Sequence, residues 1–307
     1  MTSPDLRAPA LRDLVRGAAR VLEEAGVPSP AHDAAALAAR ALGVDRLDLV
    51  LPPPVPAGFA GTYAELVERR RRREPLQHIV GTTGFRHLVL AVEAGVFVPR
   101  PETESVAQVA IDEAQLLVRR GESPAVVDLC CGAGGIALSV ALEVPGATVT
   151  AVDLSAEAVD LTRRNHAASG LPPIRLEQGD ATASDVLADL DGAVDVVVSN
   201  PPYIPPDAVP TEPEVRDHDP DLALYGGGLD GLEVPRGVMT TAIRLLRPGG
   251  LLVMEHAEVQ AAALREAAAA TSALVDVRTM PDLAGRDRMV VARRRRDRGA
   301  DVKDSRP

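Results

Sequence analysis

Apolar positions change their period along this chain, and the changes mark out its regions. Over roughly the first 75 residues Leu11, Leu14, Val15, Ala18, Val21 and Leu22 recur at helical spacing, predicting a helix that stops at Gly26. Ser29 with Pro30 predicts a cap and a first-turn proline for a second helix, carried through Leu37 and Leu42 and ended by Gly43. Beyond a proline-rich loop, Pro52 to Pro56, the spacing of Thr62 and Glu65 predicts a capping box for a third helix, which Pro75 stops. Between Ile79 and Arg100 the apolar runs shorten around Gly81, Gly84 and Gly95, as in a β-hairpin.

The segment from Phe97 to Glu104 then opens a helix reaching about Arg120, and from there strand and helix patterns alternate as a parallel sheet requires. Strands are expected at Val126 to Leu129, Thr148 to Asp153, Ile174 to Glu177, Val194 to Ser199, Leu251 to His256, Leu274 to Thr279 and Met289 to Ala292. Helices fill the gaps, including Ser155 to Ala168 and Val234 to Leu246, and Arg247-Pro248-Gly249-Gly250 is expected as a turn feeding the fifth strand. The resulting division is a helical domain, 1–75, a hairpin linker, 76–105, an α/β domain, 106–292, and a charged tail, 293–307, expected to be disordered.

Two short segments carry chemistry. Asn200-Pro201-Pro202-Tyr203 directly follows the apolar run ending at Val198 and is suited to holding a planar –NH₂ group. The Asn200 carboxamide and the Pro201 carbonyl each offer an acceptor, two prolines keep the segment extended, and Tyr203 can stack on a flat amide or base. Upstream, Cys130-Cys131-Gly132-Ala133-Gly134-Gly135 lies between a predicted strand and helix, where glycines let the backbone approach a ligand. Asp153, roughly 20 residues on at the end of the next strand, is placed to accept from both hydroxyls of a ribose. Gly132, Gly134 and Ala137 fit both a dinucleotide dehydrogenase and an S-adenosylmethionine methyltransferase. The paired acceptors around Asn200 favour the methyltransferase, because a hydride-transfer enzyme has no need to grip an amino group.

Charge narrows the substrate. The net charge of −11 disfavours a free nucleic-acid substrate unless basic residues are clustered locally. One such cluster exists, Arg69 to Arg73 at the end of the third helix; it fits a solvated last turn or, alternatively, a contact for an acidic partner or RNA. The two cysteines are adjacent and cannot form a disulfide framework, so a reducing compartment is expected. No signal peptide or spanning segment is seen, and the reading is cytoplasmic. The six histidines lack metal-ligand spacing, so no metal is expected.

With both segments placed, the chain resembles the HemK/PrmC family, the protein-(glutamine-N5) methyltransferases that modify peptide-chain release factors. The resemblance rests on Glu74-Pro75-Leu76-Gln77-His78-Ile79-Val80-Gly81, Pro99-Arg100-Pro101-Glu102-Thr103-Glu104, the glycine loop, Asn200-Pro201-Pro202-Tyr203-Ile204, and Arg247-Pro248-Gly249-Gly250 before Glu255-His256. It implies an α/β, class I (Rossmann-like) S-adenosylmethionine-dependent methyltransferase with a small helical N-terminal domain joined by a β-hairpin. That helical domain would recognise the release factor, and the substrate would be the Gln of its Gly-Gly-Gln loop. By the same resemblance Cys130, Cys131, Gly132, Ala133, Gly134, Asp153, Asp180, Ala181 and Asn200 would line S-adenosylmethionine. Asn200, Pro201, Pro202 and Tyr203 would hold the Gln amide, with Asn200, Pro201 and Tyr203 catalytic. Cys130-Cys131 replaces the family's usual Gly then Thr or Cys, and Ala181 stands where an aromatic often lies by the adenine.

Other residues read as follows. Asp128 is expected to bond loop amides, His256 to be a satisfied polar residue, and the cysteines to be small loop residues. Glu102 and Glu104 suit a helix start or a place near the site. Asp180 or a water could take the substrate's proton, and Tyr225-Gly226-Gly227-Gly228 fits a mobile loop over the site. Methylation of another protein's glutamine, an adenine N6-methyltransferase on nucleic acid and a non-catalytic binding module are the competing readings.

Overall fold

The computed structural model describes residues 8–296, and the chain divides into two compact units. The first comprises Met1–Thr82 with Pro210–His218, the second Thr83–Val209 with Asp219–Pro307.

The first unit is built from α1 (Ala8–Glu24), α2 (Pro30–Leu42), α3 (Phe59–Arg71) and the short α4 (Leu76–Val80). Leu11, Leu22, Leu37, Phe59, Tyr63 and Ile79 form its core. Gly43, at φ +70°, ends α2 by donating its N–H to the carbonyls of Ala39 and Arg40. Two predicted caps are not formed. The Ser29 side chain makes no capping bond, and its backbone carbonyl accepts the Asp33 N–H instead. Helix α3 begins at Phe59, a turn before the Thr62–Glu65 spacing placed it. The Phe59 ring is buried and stacks on Tyr63 at 5.3 Å, and the Tyr63 hydroxyl donates to the Ala34 carbonyl. Burying an aromatic ring is worth about 2 kcal/mol against about 1 for a side-chain cap, so burial sets the helix start.

Each arginine from Arg69 to Arg73 meets a carboxylate. Arg69 pairs with Glu74, Arg71 and Arg72 with Glu68, and Arg73 with Glu214 at 2.6 Å. Arg70 is buried between Asp33 at 2.7 Å and Glu214 at 2.8 Å. Arg70 and Arg73 therefore clamp the 210–218 segment to the helices. Arg71 and Arg72 stay on the solvent side, sharing the single carboxylate of Glu68.

The second unit holds a seven-stranded sheet of order β5-β4-β3-β6-β7-β9-β8. A hairpin, β1 (Thr82–Phe85) and β2 (Leu88–Ala91), precedes α5 (Thr103–Arg119). There follow β3 (Ala125–Leu129), α6 (Gly135–Glu143), β4 (Thr148–Asp153), α7 (Ala156–Ser169), β5 (Arg175–Gln178) and β6 (Val194–Ser199). The chain continues through α8 (Glu233–Leu245), β7 (Leu246–Glu255), α9 (Ala261–Ala270), β8 (Leu274–Pro281) and β9 (Asp287–Arg294). Strands β5, β4, β3, β6 and β7 run parallel, while β9 lies antiparallel to both β7 and β8. The β6 run is buried on both faces, which is why it is almost continuously Val.

Phe85 and Leu90 of the hairpin belong to the same core as α5 and α6. A Cβ at Gly135 would lie 3.2 Å from the Phe85 ring, so the glycine that opens α6 makes room for the hairpin. Arg247 to Gly250 lie within β7, looped out of register between the Val194–Leu246 and Val196–Leu251 pairs. Strand β9 reaches Arg294, and Arg293 makes two hydrogen bonds to Glu113, so the sheet takes in the first residues expected in the tail. Residues 297–307 lie outside the described residues.

Candidate active site

The chain order reverses at β3, with β4 on one side and β6 on the other, and ligands in open α/β sheets sit at the carboxyl ends of strands at such a point. The register lines up the residues there. Val152 pairs with Leu129, Leu129 with Ser199, and Ser199 with Met254. The next residue on each strand gives a row across the sheet end: Asp153, Cys130, Asn200 and Glu255. The predicted nucleoside and amide-binding segments are thus neighbours, and Glu255 enters as a further member.

Asp153 ties the row to the glycine loop. Its Oδ2 accepts from the Gly132 N–H at 2.8 Å and its Oδ1 from the Ser155 N–H at 3.0 Å. Each oxygen keeps a further lone pair for a hydroxyl. Burial raises the Asp153 pKa, and these backbone donors work against that rise. Gly132 has φ +56° and open space where a Cβ would project, so the loop leaves room for a ligand. At Gly134, φ +88°, a Cβ would meet Thr162 at 2.8 Å, so this glycine allows the loop to pack on α7. Cys130 occupies the left-handed region at φ +66°, where the family's usual glycine would be unstrained.

Asp128 accepts from the Ala137 N–H at 3.0 Å, holding the first turn of α6, as expected of a structural residue. Burial, with neighbouring Asp153 adding to it, pushes its pKa up to about 8. Its Oδ1 is buried without a hydrogen bond among the described residues. The Asp153 carboxyl, with a lone pair open on each oxygen beside a glycine loop that leaves room at Gly132, fits the hydroxyls of a nucleoside such as S-adenosylmethionine. Burial raises both cysteine thiols well above their ordinary range, which keeps them protonated and poorly nucleophilic.

The Ala181 methyl is buried against the cluster containing Leu129 and Val152, so it is the backbone there that can face a base. Asp180 is exposed, and its Oδ1 accepts from the Thr182 N–H and hydroxyl. It follows β5, three strand positions or roughly 14 Å from β6, which disfavours Asp180 as proton acceptor for a group held at Asn200.

Asn200 is half-buried, and its Nδ2 donates to the Thr103 hydroxyl at 3.2 Å. Its Oδ1 therefore occupies the opposite branch of the planar amide. No hydrogen bond among the described residues uses the Pro201 carbonyl. The Tyr203 hydroxyl donates to Glu255 Oε1 at 3.2 Å, and Gln260 Nε2 donates to the Tyr203 carbonyl at 2.7 Å.

The glycine-rich stretch after Leu224 is a brace, which corrects the expectation of a mobile loop. Gly226 is buried and donates to the Ile204 carbonyl, and Ile204 and Tyr225 form a β-bridge. A Cβ on Gly226 would fall 1.9 Å from the Gly231 carbonyl oxygen and 2.6 Å from that of Pro202. Glycine stands there because two backbones touch, not because the segment moves.

Glu255 is 1% exposed and burial pushes its pKa up to about 7. Thr103, Arg288 and Glu255 had no assigned role in the sequence, although the first and last fall within segments that carried the resemblance. A buried polar residue at the end of an apolar strand was the available signal. Glu104 accepts the Arg86 N–H at the hairpin turn, a structural role. His256 is buried, its Nδ1 sits 2.9 Å from the Ala257 carbonyl, and burial lowers its pKa. Among the described residues no group of three or more His, Cys, Asp or Glu is arranged to hold a metal, and no helix is long and apolar enough to cross a membrane.

Comparison with known proteins bears on this geometry. A family described as PrmC N-terminal domain matches residues 13–81, and one described as Methyltransferase small domain matches residues 105–212. A release factor glutamine methyltransferase of Bifidobacterium longum is 46% identical, covering 92% of this chain and 99% of its own. That of Streptomyces coelicolor is 49% identical over 91% of this chain and 96% of its own, and that of Mycobacterium tuberculosis 44% over 92% and 91%.

Proposed function

The chain belongs to the release factor glutamine methyltransferase family, and from that premise we propose that it methylates the side-chain amide nitrogen of the Gln in a release factor's Gly-Gly-Gln loop. It is an S-adenosylmethionine-dependent protein-glutamine methyltransferase, with the helical unit as the part that recognises the protein substrate and the cytoplasm as its place of work. The observation that carries the reading is Asn200, whose Nδ2 is committed to Thr103 and whose Oδ1 is left to accept.

When bound, S-adenosylmethionine supplies an electrophilic methyl on a cationic sulfur. Asp153 would take the ribose hydroxyls, the loop from Cys130 to Gly134 would line the amino-acid portion, and the backbone at Asp180 and Ala181 would lie by the base. The carboxylate of Asp153, when ionised, favours a positive charge at this end of the sheet.

An amide nitrogen is a weak nucleophile because its lone pair is delocalised into the carbonyl. Asn200 Oδ1 and the Pro201 carbonyl accept one N–H each, which turns the nitrogen's face out of the acceptor plane. Pro202 holds the segment extended, and Tyr203, braced by Gln260 and Glu255, packs on the flat amide. Orientation of this kind can lower a barrier by several of the roughly 7–11 kcal/mol that well-aligned reactions gain. The nitrogen becomes acidic only as the new bond forms, so no strong base is needed beforehand and water can take the released proton.

The test is incubation with labelled S-adenosylmethionine and purified release factors, followed by mass mapping. One methyl on the Gln of the Gly-Gly-Gln loop is expected. Label on a nucleobase, or on no protein residue, would overturn the reading.

A further inference from the structure

Two runs of arginine stand in this chain, and the fold treats them differently. Each member of Arg69 to Arg73 has a carboxylate partner. Of the second run, Arg293 to Arg296, only Arg293 has one among the described residues: it meets Glu113 at 2.8 Å and also donates to the Gly249 carbonyl. We propose that the rest of this run, together with Arg120, forms a binding site for phosphate groups on the edge of the sheet opposite the methyl-transfer site.

The run lines a half-open cleft of about 490 Å³, which Arg120 enters from the end of α5. Asp276 of β8 is the one acid there besides Glu113. Arg295 is fixed twice, its backbone N–H donating to the Ala273 carbonyl and its Nε to the Ser272 carbonyl at 2.6 Å. A carbonyl orients that guanidinium without cancelling its charge. The guanidinium groups of Arg120, Arg294 and Arg296 make no hydrogen bond or ion pair among the described residues. Gly249, at φ +87°, leaves space for Arg296, because a Cβ there would lie 3.1 Å from the Arg296 Nε. By contrast Arg247, on the same strand as Gly249, is paired with Asp195 and Glu122. Guanidinium groups gathered against the single carboxylate of Asp276 repel one another, and in a chain with 44 acidic residues to 33 basic ones this is a local reversal of charge.

Guanidinium forks pair with phosphate oxygens, and several converging on one cleft suit a ligand carrying more than one phosphate. The apolar part of the lining is Leu116 and Val275, with no aromatic or amide side chain among the described residues to stack on or read a base. The cleft therefore grips phosphates by charge and geometry, whether they come as a free oligophosphate or along the backbone of RNA. It is also remote from Asn200. Strand β9 runs antiparallel to β7, so that Arg293 pairs with Leu251 while Met289 pairs with Glu255 of the active-site row. The four strand steps from Leu251 to Glu255 alone span roughly 13 Å.

Calorimetric titration of the full chain with inorganic tripolyphosphate tests the site, with 5′-hydroxyl oligo(U) RNA as the second probe. The parent is expected to bind tripolyphosphate saturably. Arg294→Gln/Arg296→Gln should weaken binding roughly tenfold or more through lost charge-assisted hydrogen bonds, and Arg120→Gln, on a different element, should weaken it independently. Asp276→Asn should act in the opposite direction and tighten binding a few-fold. Arg163→Gln/Arg164→Gln, two exposed charges on α7, should bind as the parent does. Thermal melting checks that each variant is folded, and kcat for methyl transfer should stay parental. Oligo(U) bound with the same dependence on Arg294 and Arg296 identifies RNA backbone as a source, and tripolyphosphate bound without oligo(U) identifies a free oligophosphate. No saturable binding of either probe, or an affinity unmoved by the cleft arginine variants, would overturn the proposal. So would polyglutamate bound as tightly as tripolyphosphate, or tripolyphosphate displaced by S-adenosylmethionine.

Discussion

At the scale of single residues the site is a problem of lone pairs. Asn200, Pro201 and Asp153 each present an acceptor at the end of the sheet, and Asn200 and Asp153 are oriented by hydrogen bonds that leave an acceptor position open. Asn200→Ala should therefore abolish methyl transfer, by a factor of roughly 10³ or more if both orientation and one acceptor are lost. Binding of S-adenosylmethionine, measured by calorimetry, should stay within a few-fold of the parent. Equal loss of both would place Asn200 mainly in the cofactor's grip. Asn200, Pro201 and Asp153 could be read from the sequence because strand-end position and side-chain chemistry suffice to suggest them. Thr103, Glu255 and Arg288 could not, because their meaning lies in contacts between α5, β7 and β9, which are more than a hundred residues apart along the chain in some pairs. A buried carboxyl is visible only once the strand carrying it has neighbours.

At the scale of elements, close backbone approach explains what composition misread. Gly226 looks like a source of freedom in sequence, yet a Cβ there would collide with the Pro202 and Gly231 carbonyls. Gly226→Ala should cost about 3 kcal/mol or more in unfolding free energy, since rigid backbone would have to move. It should also reduce kcat/KM sharply, because the displaced atoms include the carbonyl of Pro202. An unchanged melting temperature would show that the two backbones are not in contact. The arginine run gives a paired test. Arg70→Ala strands buried Asp33 without its partner and should cost about 3–5 kcal/mol, whereas Arg72→Ala on the solvent side should change stability by less than about 0.5 kcal/mol. Urea denaturation of both variants checks the contrast. The parallel strands were legible because a strand covered on both faces must be apolar throughout. The start of α3 was not, because the stacking of Phe59 on Tyr63 outbids a cap that looked complete from spacing alone.

At the scale of the whole molecule, stability should depend on pH in a way that the site imposes. Burial raises the pKa of Asp128 to about 8 and that of Glu255 to about 7, from ordinary values near 4. Between those limits the folded state binds more protons than the unfolded state, so stability is greatest below the ordinary carboxylate range and falls as pH rises through 7 and 8. Paired carboxylates such as Glu113, Glu214 and Glu74 act oppositely, because their partners hold their pKa values down and their contribution is lost as pH falls below about 4. The melting temperature should accordingly peak on the acid side of neutrality, near pH 5. Asp128→Asn combined with Glu255→Gln should flatten the alkaline limb and leave the acid limb intact. A parental profile that is flat from pH 5 to 8 would mean that these groups are hydrated.

The most direct test of the central claim is a crystal structure of the protein with demethylated cofactor and a release-factor Gly-Gly-Gln loop. The Gln side-chain nitrogen is expected within hydrogen-bonding distance of both Asn200 Oδ1 and the Pro201 carbonyl oxygen, with Asn200 Nδ2 still on Thr103. A Gln nitrogen bound elsewhere, or an Asn200 whose –NH₂ faces the substrate, would contradict it.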